Sequence, residues 1–425
     1  MSHRLAVRSP LKLSRDGWLL LAACGVRSFA YGFLSVMLGL YLDALQLSAA
    51  AIGGIFTAAL AGGALMTVAL AVLADRFGRR LLLILGAALM ALAGAVFASA
   101  ASPLLLGLAA IFGSISPTGK EVGPFLSIEQ AILPQTTDER NRTAVFSAYN
   151  LVGSLAGAFG ALAAALPSAF PFAPLFGYRL LIWGYVLAAL VMLFFFASLS
   201  AAIEAKRDDL TRSRRFGVKR SRAMVAKLAA LFALDAFAGG FIVQSLVAYW
   251  FYLRFQTGIE ALGGIFFGTN LLAALSFLIA PSIARRIGLL NTMVLTHLAS
   301  NALLVLVPLM PNLELTVAML LARNLLSQLD VPTRQSYTMA VIAPSERAAS
   351  AGILSVARNA GAALAPLFTA PILASPAFGL PFLLAGGLKI LYDLSLWGLF
   401  RHIRPPEEKA PAQPRDRGAA PVDKP

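Results

Sequence analysis

Charge is what this sequence has least of. Only 13% of its 425 residues are Asp, Glu, Lys or Arg, 59% are hydrophobic, and the mean hydropathy is +0.78. A soluble domain carries about 25% charged residues to keep its surface wet. Half that density excludes a water-exposed globule of this size and leaves lipid as the solvent. Cysteine is nearly missing, and the single Cys24 excludes an intrachain disulfide. His3, His297 and His402 are too scattered to form a zinc cluster by local spacing. Polar sequence is also short: the longest interior stretch, Glu204 to Arg222, has no room for a nucleotide-driven motor domain. No paired carboxylates or His motif have catalytic spacing, so neither an enzyme nor a resident metal or cofactor is expected.

Long apolar runs are what the chain does have. A span needs about 20 mostly apolar residues to cross a hydrocarbon core about 30 Å thick, and lipid satisfies no backbone group, so the spans must be helices. Runs and breakers predict an all-α protein with twelve spans. The first six fall near 17–42, 49–73, 81–101, 103–133, 143–165 and 179–203; the second six near 224–253, 259–284, 290–310, 312–341, 348–373 and 378–400. Turn chemistry marks breaks at Ser102-Pro103, Leu166-Pro167, Pro311-Asn312 and Ala343-Pro344, while Pro117 and Pro124 interrupt the fourth span. The first run is too long for a signal-peptide core and reads as a retained helix.

The net charge of +15 has a topological reading. Lys and Arg gather before Gly17, at 76–80, at 140–142, across 206–227, at 285–286, at 347 and after 400, whereas the opposite side holds Arg179 and Arg254. Basic residues concentrate in short cytoplasmic loops, so both termini are expected in the cytoplasm and a nucleic-acid partner is excluded. The expected organisation is a cytoplasmic tail over 1–16, a six-helix bundle over 17–203, a basic linker over 204–222, a second bundle over 223–403 and a disordered tail over 404–425. The Ala/Leu/Arg-rich composition suggests a bacterial inner membrane.

The halves repeat. Ala51-Ile-Gly-Gly-Ile-Phe56 matches Ala261-Leu-Gly-Gly-Ile-Phe266 at an offset of 210, and the same offset pairs Arg76-Phe77-Gly78 with Arg286-Ile287-Gly288. Phe29 to Phe33 matches Phe237 to Phe241 at 208, and Glu139-Arg140 matches Glu346-Arg347 at 207. Six-plus-six spans make the repeats parallel, an arrangement that holds substrate near the midplane between halves. The loop Ala71-Val-Leu-Ala-Asp75-Arg76-Phe77-Gly78-Arg79-Arg80 resembles the signature loop between helices 2 and 3 of the major facilitator superfamily, with Ala71 in place of the leading Gly. The counterpart loop, Pro281 to Leu290, is degenerate, with Arg285 where the acid would stand. The resemblance covers essentially the whole chain. It implies two pseudo-symmetric six-helix bundles, alternating access, and a gate latch at Asp75, Arg76, Gly78, Arg79 and Arg80. Independently, a short charged turn pins its two helices, and an acid near a helix end can meet a partner helix N-terminus.

Charges inside the spans mark the candidate site, because ionisable groups retained at bilayer depth usually face inward and work. They are Arg27, Lys120, Glu121, Glu129, Asp235, Arg323, Asp330, Arg334, Arg358, Lys389 and Asp393. Arg27 and Asp235 are equivalent under the 208 offset and are expected on facing walls of the cavity, as a functional or a structural pair. Arg323, Asp330 and Arg334 fall on one stripe of helix 10, with Pro332 disturbing its register. Lys389 and Asp393 form an i,i+4 pair that can neutralise itself. Arg358 has no local partner and suits an anionic substrate group or a remote carboxylate. Gly113 to Lys120 is not a P-loop, since the glycine spacing is wrong and Glu121 replaces Ser/Thr; the adjacent Lys120 and Glu121 read as a broken-helix element in which Glu121 can titrate. His297 reads as a packed, hydrogen-bonded histidine ahead of a proton relay. Gly153, Gly157 and Gly160 give helix 5 a face for close packing, but Ala158 stands where the family's antiporter motif has Pro, and the helix 4 Arg is missing. The expected function is secondary transport of a small organic solute, coupled to protons or another ion and directed outward. Facilitated uniport or organic-anion exchange is the alternative, and a non-transporting receptor the third reading. Partners are the solute, the coupling ion and lipid, and a monomer is expected.

Overall fold

The computed structural model describes residues 13–119, 124–138, 142–204, 221–343, 346–373, 375 and 379–403. Among them no strand occurs, and ten helical segments are long and apolar enough to cross a membrane. The first half contains α1 (Arg15–Ala44), α2 (Ala49–Phe77), α3 (Arg79–Ser99), α4 (Pro103–Phe112), α5 (Pro124–Ile132), α6 (Arg142–Ala163) and α7 (Pro174–Ala197). The second contains α8 (Arg222–Gly240), α9 (Gln244–Phe255), α10 (Ile259–Ile287), α11 (Leu289–Leu306), α12 (Leu313–Ser327), α13 (Asp330–Val341), α14 (Arg347–Leu364), α15 (Pro366–Leu373) and α16 (Leu380–Phe400). The tail and linker segments 1–12, 205–220 and 404–425 lie outside the described residues.

Four predicted spans are each two helices, the seventh dividing into α8 and α9 and the eleventh into α14 and α15. The fourth divides into α4 and α5, as Pro117 and Pro124 required. The tenth breaks at Gln328 and Leu329 and restarts at Asp330. Pro332 therefore lies in the first turn of α13, where its missing N–H leaves no helical hydrogen bond unmade. The break, not the proline, is what ends the predicted stripe of Arg323, Asp330 and Arg334. The sixth span starts at Pro174 rather than 179, because Pro at the first helical position is pre-organised for a start. It thereby takes Arg179 into the helix.

Packing repeats the sequence duplication. α1 lies on α6 and α7, and α8 correspondingly on α14 and α16; α3 packs on α7 as α11 does on α16; α2 meets α4 as α10 meets α12. Small residues permit the tightest of these approaches. A Cβ on Gly32 would collide with the Gly157 carbonyl oxygen, and one on Gly361 with the Ala233 carbonyl oxygen. The turns into α3 and α11 also match, since Gly78 and Gly288 have φ of 90° and 86°, a region that side chains rarely adopt.

The halves join toward the end of α1 that is far from Ser14. There α2 meets α15, α6 meets α10, and α1 meets α9. Gln244 Nε2 donates to Ser35 Oγ at 2.9 Å, Ser245 Oγ to the Ser35 carbonyl at 2.8 Å, and Tyr249 Oη to Asp43 Oδ1 at 2.8 Å. Broken backbone meets broken backbone here: the Ser245 N–H at the start of α9 donates to the Pro117 carbonyl beyond α4 at 3.0 Å. The Gly113 and Ser114 carbonyls after α4 accept from Tyr185 Oη. Non-helical backbone at membrane depth is tolerable only with such partners.

Candidate functional site

Each half carries its own buried ion-pair centre. In the first, α1 presents Arg27 and α5 presents Glu129. Two parallel bonds join them, Nη1 to Oε1 at 2.8 Å and Nη2 to Oε2 at 2.7 Å, and both side chains have zero exposure. Tyr149 Oη on α6 accepts from Arg27 Nη2 at 3.0 Å and donates to Glu129 Oε2. Phe125 lies under the guanidinium, 4.8 Å from ring centroid to Cζ. The planar fork matches the carboxylate on two bonds, and the aromatic face adds cation–π attraction.

In the second half, α8 presents Asp235, which is nearly buried. Lys389 Nζ of α16 donates to its Oδ1 at 2.5 Å and Arg334 Nη1 of α13 to its Oδ2 at 3.1 Å. Arg334 also lies 3.3 Å from Asp330 Oδ2, one turn back on the same helix. His297 of α11 stands between two carboxylates, with Nδ1 2.7 Å from Asp393 Oδ1 and Nε2 3.8 Å from Asp235 Oδ1. Asn301 Nδ2 donates to Asp393 Oδ2 at 2.9 Å. Taking charge out of water is expensive unless partners replace the water, and here four helices supply them.

Two expected pairings are therefore different. Arg27 and Asp235 do sit at equivalent places, but the ion pairs that hold them run to Glu129 and to Lys389 and Arg334, within their own halves. A bidentate carboxylate one helix away satisfies a guanidinium better than a residue across the interface. Lys389 and Asp393 do not neutralise each other either: Lys389 reaches Asp235, and Asp393 takes His297 and Asn301. Arg323 and Arg358 are half-buried at the edge of this cluster, and both act electrostatically on Asp235. Among the described residues Arg358 has no direct hydrogen bond or ion pair, and Arg323 Nε is buried without a partner. Lys120 and Glu121 lie outside the described residues. Tyr149 and Asn301 are uncharged, and only their spacing hints at them: Tyr149 stands 209 before Arg358, close to the repeat offset, and Asn301 one turn after His297.

The backbone of the signature loop closes α2 at Phe77 and turns at Gly78; the side chains of Asp75 and Arg76 lie outside the described residues. The Arg79 and Arg80 N–H groups open α3 and donate to Glu204 Oε2 at 2.7 Å and Oε1 at 3.1 Å. An acid at a helix N-terminus meets unpaired donors and the positive end of the dipole. Arg79 Nη1 donates to the Ile203 carbonyl at 3.2 Å and Arg80 Nη2 to that of Ala197. These contacts fasten α3 to the segment that follows α7, within one half.

A family model described as Major Facilitator Superfamily matches residues 20–329. The chain belongs to that superfamily. It is a transporter of this class, not an enzyme. It is 28% identical over 422 residues to an uncharacterized membrane protein of Saccharomyces cerevisiae, YJR124C, covering 91% of this chain and 94% of the relative. Its fold is similar to that of the nucleoside transporter NupG, with a TM-score of 0.72 at 15% identity, covering 91% of this chain and 100% of that one. It also resembles a D-xylose-proton symporter, with a TM-score of 0.71 at 14% identity over 90% and 97% of the two chains. For the human organic anion transporter MFSD10 the TM-score is 0.63 at 18% identity over 92% and 100%. At these identities the likeness of this superfamily member to the solved structures is one of fold.

Proposed function

We propose that this superfamily member moves a small organic solute by alternating access, coupled to protons and directed outward. It does so as a monomer of two bundles in a bacterial inner membrane, with both termini cytoplasmic. The observation that carries the reading is the second-half cluster: Asp235, Asp330, Asp393, His297, Arg334 and Lys389 drawn from four helices, with Arg323 and Arg358 at its edge. A static bundle gains nothing from so many ionisable groups at bilayer depth, whereas a solute and proton site needs them. Contacts between the halves gather at the end of α1 far from Ser14, which suits two bodies that rock about a shared site. Asp75 and Arg76 would complete the latch that Gly78, Arg79 and Arg80 begin, and Glu121 would supply a second acid.

The test uses proteoliposomes and a solute chosen by thermal-shift screening of metabolites and drugs across pH. A pH gradient should drive flux in the unaltered chain, and Asp235→Asn combined with Glu121→Gln should abolish that drive. Unchanged gradient-driven flux in the double variant sinks the reading. Exchange or uniport of an organic anion is the second reading, favoured by the guanidinium of Arg358, which lacks a direct carboxylate among the described residues. Flux indifferent to the proton gradient but accelerated by solute on the opposite side would select it.

A further inference from the structure

His297 faces a problem that a neutral imidazole cannot solve. A neutral ring has one N–H and one lone pair, yet both of its nitrogens look toward carboxylate oxygens: Nδ1 at 2.7 Å from Asp393 and Nε2 at 3.8 Å from Asp235. Whichever nitrogen carries the hydrogen, the other turns a lone pair toward an anion. Asn301 holds this arrangement in register, its Nδ2 lying 2.9 Å from Asp393 Oδ2 and 3.2 Å from His297 Nδ1. One added proton turns the lone pair that faces an anion into an N–H, and the unfavourable contact into an ion pair.

We infer that His297, oriented by Asp393 and Asn301, is the site that binds the coupling proton, and that Asp235 transmits its occupancy to α16. The inference rests on the proton-coupled reading above. The proton comes from water on one side, adds to the ring nitrogen that lacks hydrogen, and leaves to water on the other side; no other bond forms or breaks. Transmission follows from a shared acceptor. Asp235 Oδ1 is the oxygen that Lys389 Nζ holds at 2.5 Å and also the one nearest His297 Nε2. An imidazolium competes with the ammonium for it, so the contact between α8 and α16 weakens as the ring is charged.

The surroundings of the ring bear on its charge from every packed element. α16 brings Asp393, Lys389 and Tyr392, whose ring lies edge-on 5.8 Å from the imidazole. α8 brings Asp235, and α13 brings Asp330 and Arg334. α12 brings Arg323, whose carbonyl accepts from Ser300 on the histidine's own helix. α10 keeps its charges, Glu260, Arg285 and Arg286, at its two ends. Three carboxylates and four basic side chains counting Arg358 thus share one neighbourhood, so one mobile proton changes its balance.

The chain has three histidines, which makes a direct test possible. The full chain carrying His3→Gln and His402→Gln, labelled with 15N-histidine in nanodiscs, leaves His297 as the one reporting ring. The spectra are taken across about pH 5–8, the span in which histidine can change charge, and the expected result is a ring that gains a second proton on acidification. Asp393→Asn, a near-isosteric change, should displace that transition by more than about one pH unit, as a contact with an ionised partner does. Asp235→Asn should displace it too and serves should the first variant not fold. A ring that keeps one protonation state across this range overturns the inference, as does a transition that neither variant moves. The second measurement is flux: loss of pH-driven flux in both His297→Gln and Asp393→Asn supports the site. Gradient-driven flux that survives both changes overturns it while leaving proton-coupled transport standing. Flux in the unaltered chain that ignores the gradient instead removes the proton-coupled reading on which the inference rests.

Discussion

Replacing Arg27 by Met separates a structural clamp from a solute contact, and the expected size follows from the geometry. The guanidinium makes two bonds of 2.8 and 2.7 Å to Glu129 and one of 3.0 Å to Tyr149, at zero exposure. Arg27→Met takes from the buried Glu129 carboxylate the guanidinium that binds both of its oxygens, and removing one partner of a buried pair costs about 3–5 kcal/mol. The double change Arg27→Met with Glu129→Leu removes both charges. Apolar replacement of a buried pair is often neutral or stabilising, so the double variant should lie within about 1 kcal/mol of the unaltered chain or above it. The implied coupling is at least about 2 kcal/mol, in the range of contacting residues. Denaturant titration in detergent, followed by the fluorescence of the four Trp residues, measures all three variants. A single variant that loses less than about 1 kcal/mol, or a double variant as unstable as the single, would refute the clamp.

Other expectations follow from neighbouring contacts. Arg334→Ala strips Asp235 and Asp330 of a shared cation and should destabilise the chain by about 3–5 kcal/mol, while Arg358→Ala, with no direct partner to orphan, should unfold like the parent and lose flux of anionic solutes; equal melting curves for the two would contradict this. Glu204→Ala removes the acceptor from the first N–H groups of α3 and should reduce stability by about 1 kcal/mol, the usual effect of a lost cap, measured in the same titration. Gly32→Ala drives a methyl into the Gly157 carbonyl and should cost about 1–3 kcal/mol, as overpacking does. Gly54→Ala, where a Cβ meets nothing within 4 Å, is the control and should be neutral or slightly stabilising.

Much of the architecture was legible because lipid makes it so. Charge-poor runs must be helices at bilayer depth, and the repeats Ala51 to Phe56 and Ala261 to Phe266 registered one half on the other. Breaks were half legible. Pro117 and Pro124 announced the gap between α4 and α5, but the interruption at Gln328 and Leu329 carries no proline, and Pro332, which looked disruptive, sits harmlessly in a first turn. The candidate site was legible as an inventory of residues and not as a set of pairs. Arg27, Glu129, Asp235, Lys389 and Asp393 all stood out as charges in apolar runs. Their partners could not be read, because pairing depends on which helices touch, and α1 meets α5 and α8 meets α16 through the fold rather than through sequence spacing. The tempting local pair, Lys389 and Asp393, lost to tertiary partners with shorter contacts.

Duplication placed an ion pair on equivalent helices of both halves, with the charges exchanged. In the first half the cation is on α1 and the acid on α5; in the second the acid is on α8 and the cation on α13. The consequences differ because the partners differ. Arg27 and Glu129 match fork to fork, and a tyrosine hydroxyl closes the group, so moving either residue breaks several bonds together. Asp235 is divided among Lys389, Arg334 and His297, each from a different helix, so one contact can lengthen while another shortens. A bundle held by a single bidentate pair resists rearrangement. A central acid with three partners has a route to more than one arrangement, and the proton proposed at His297 would use that route to change how α8 and α16 pack.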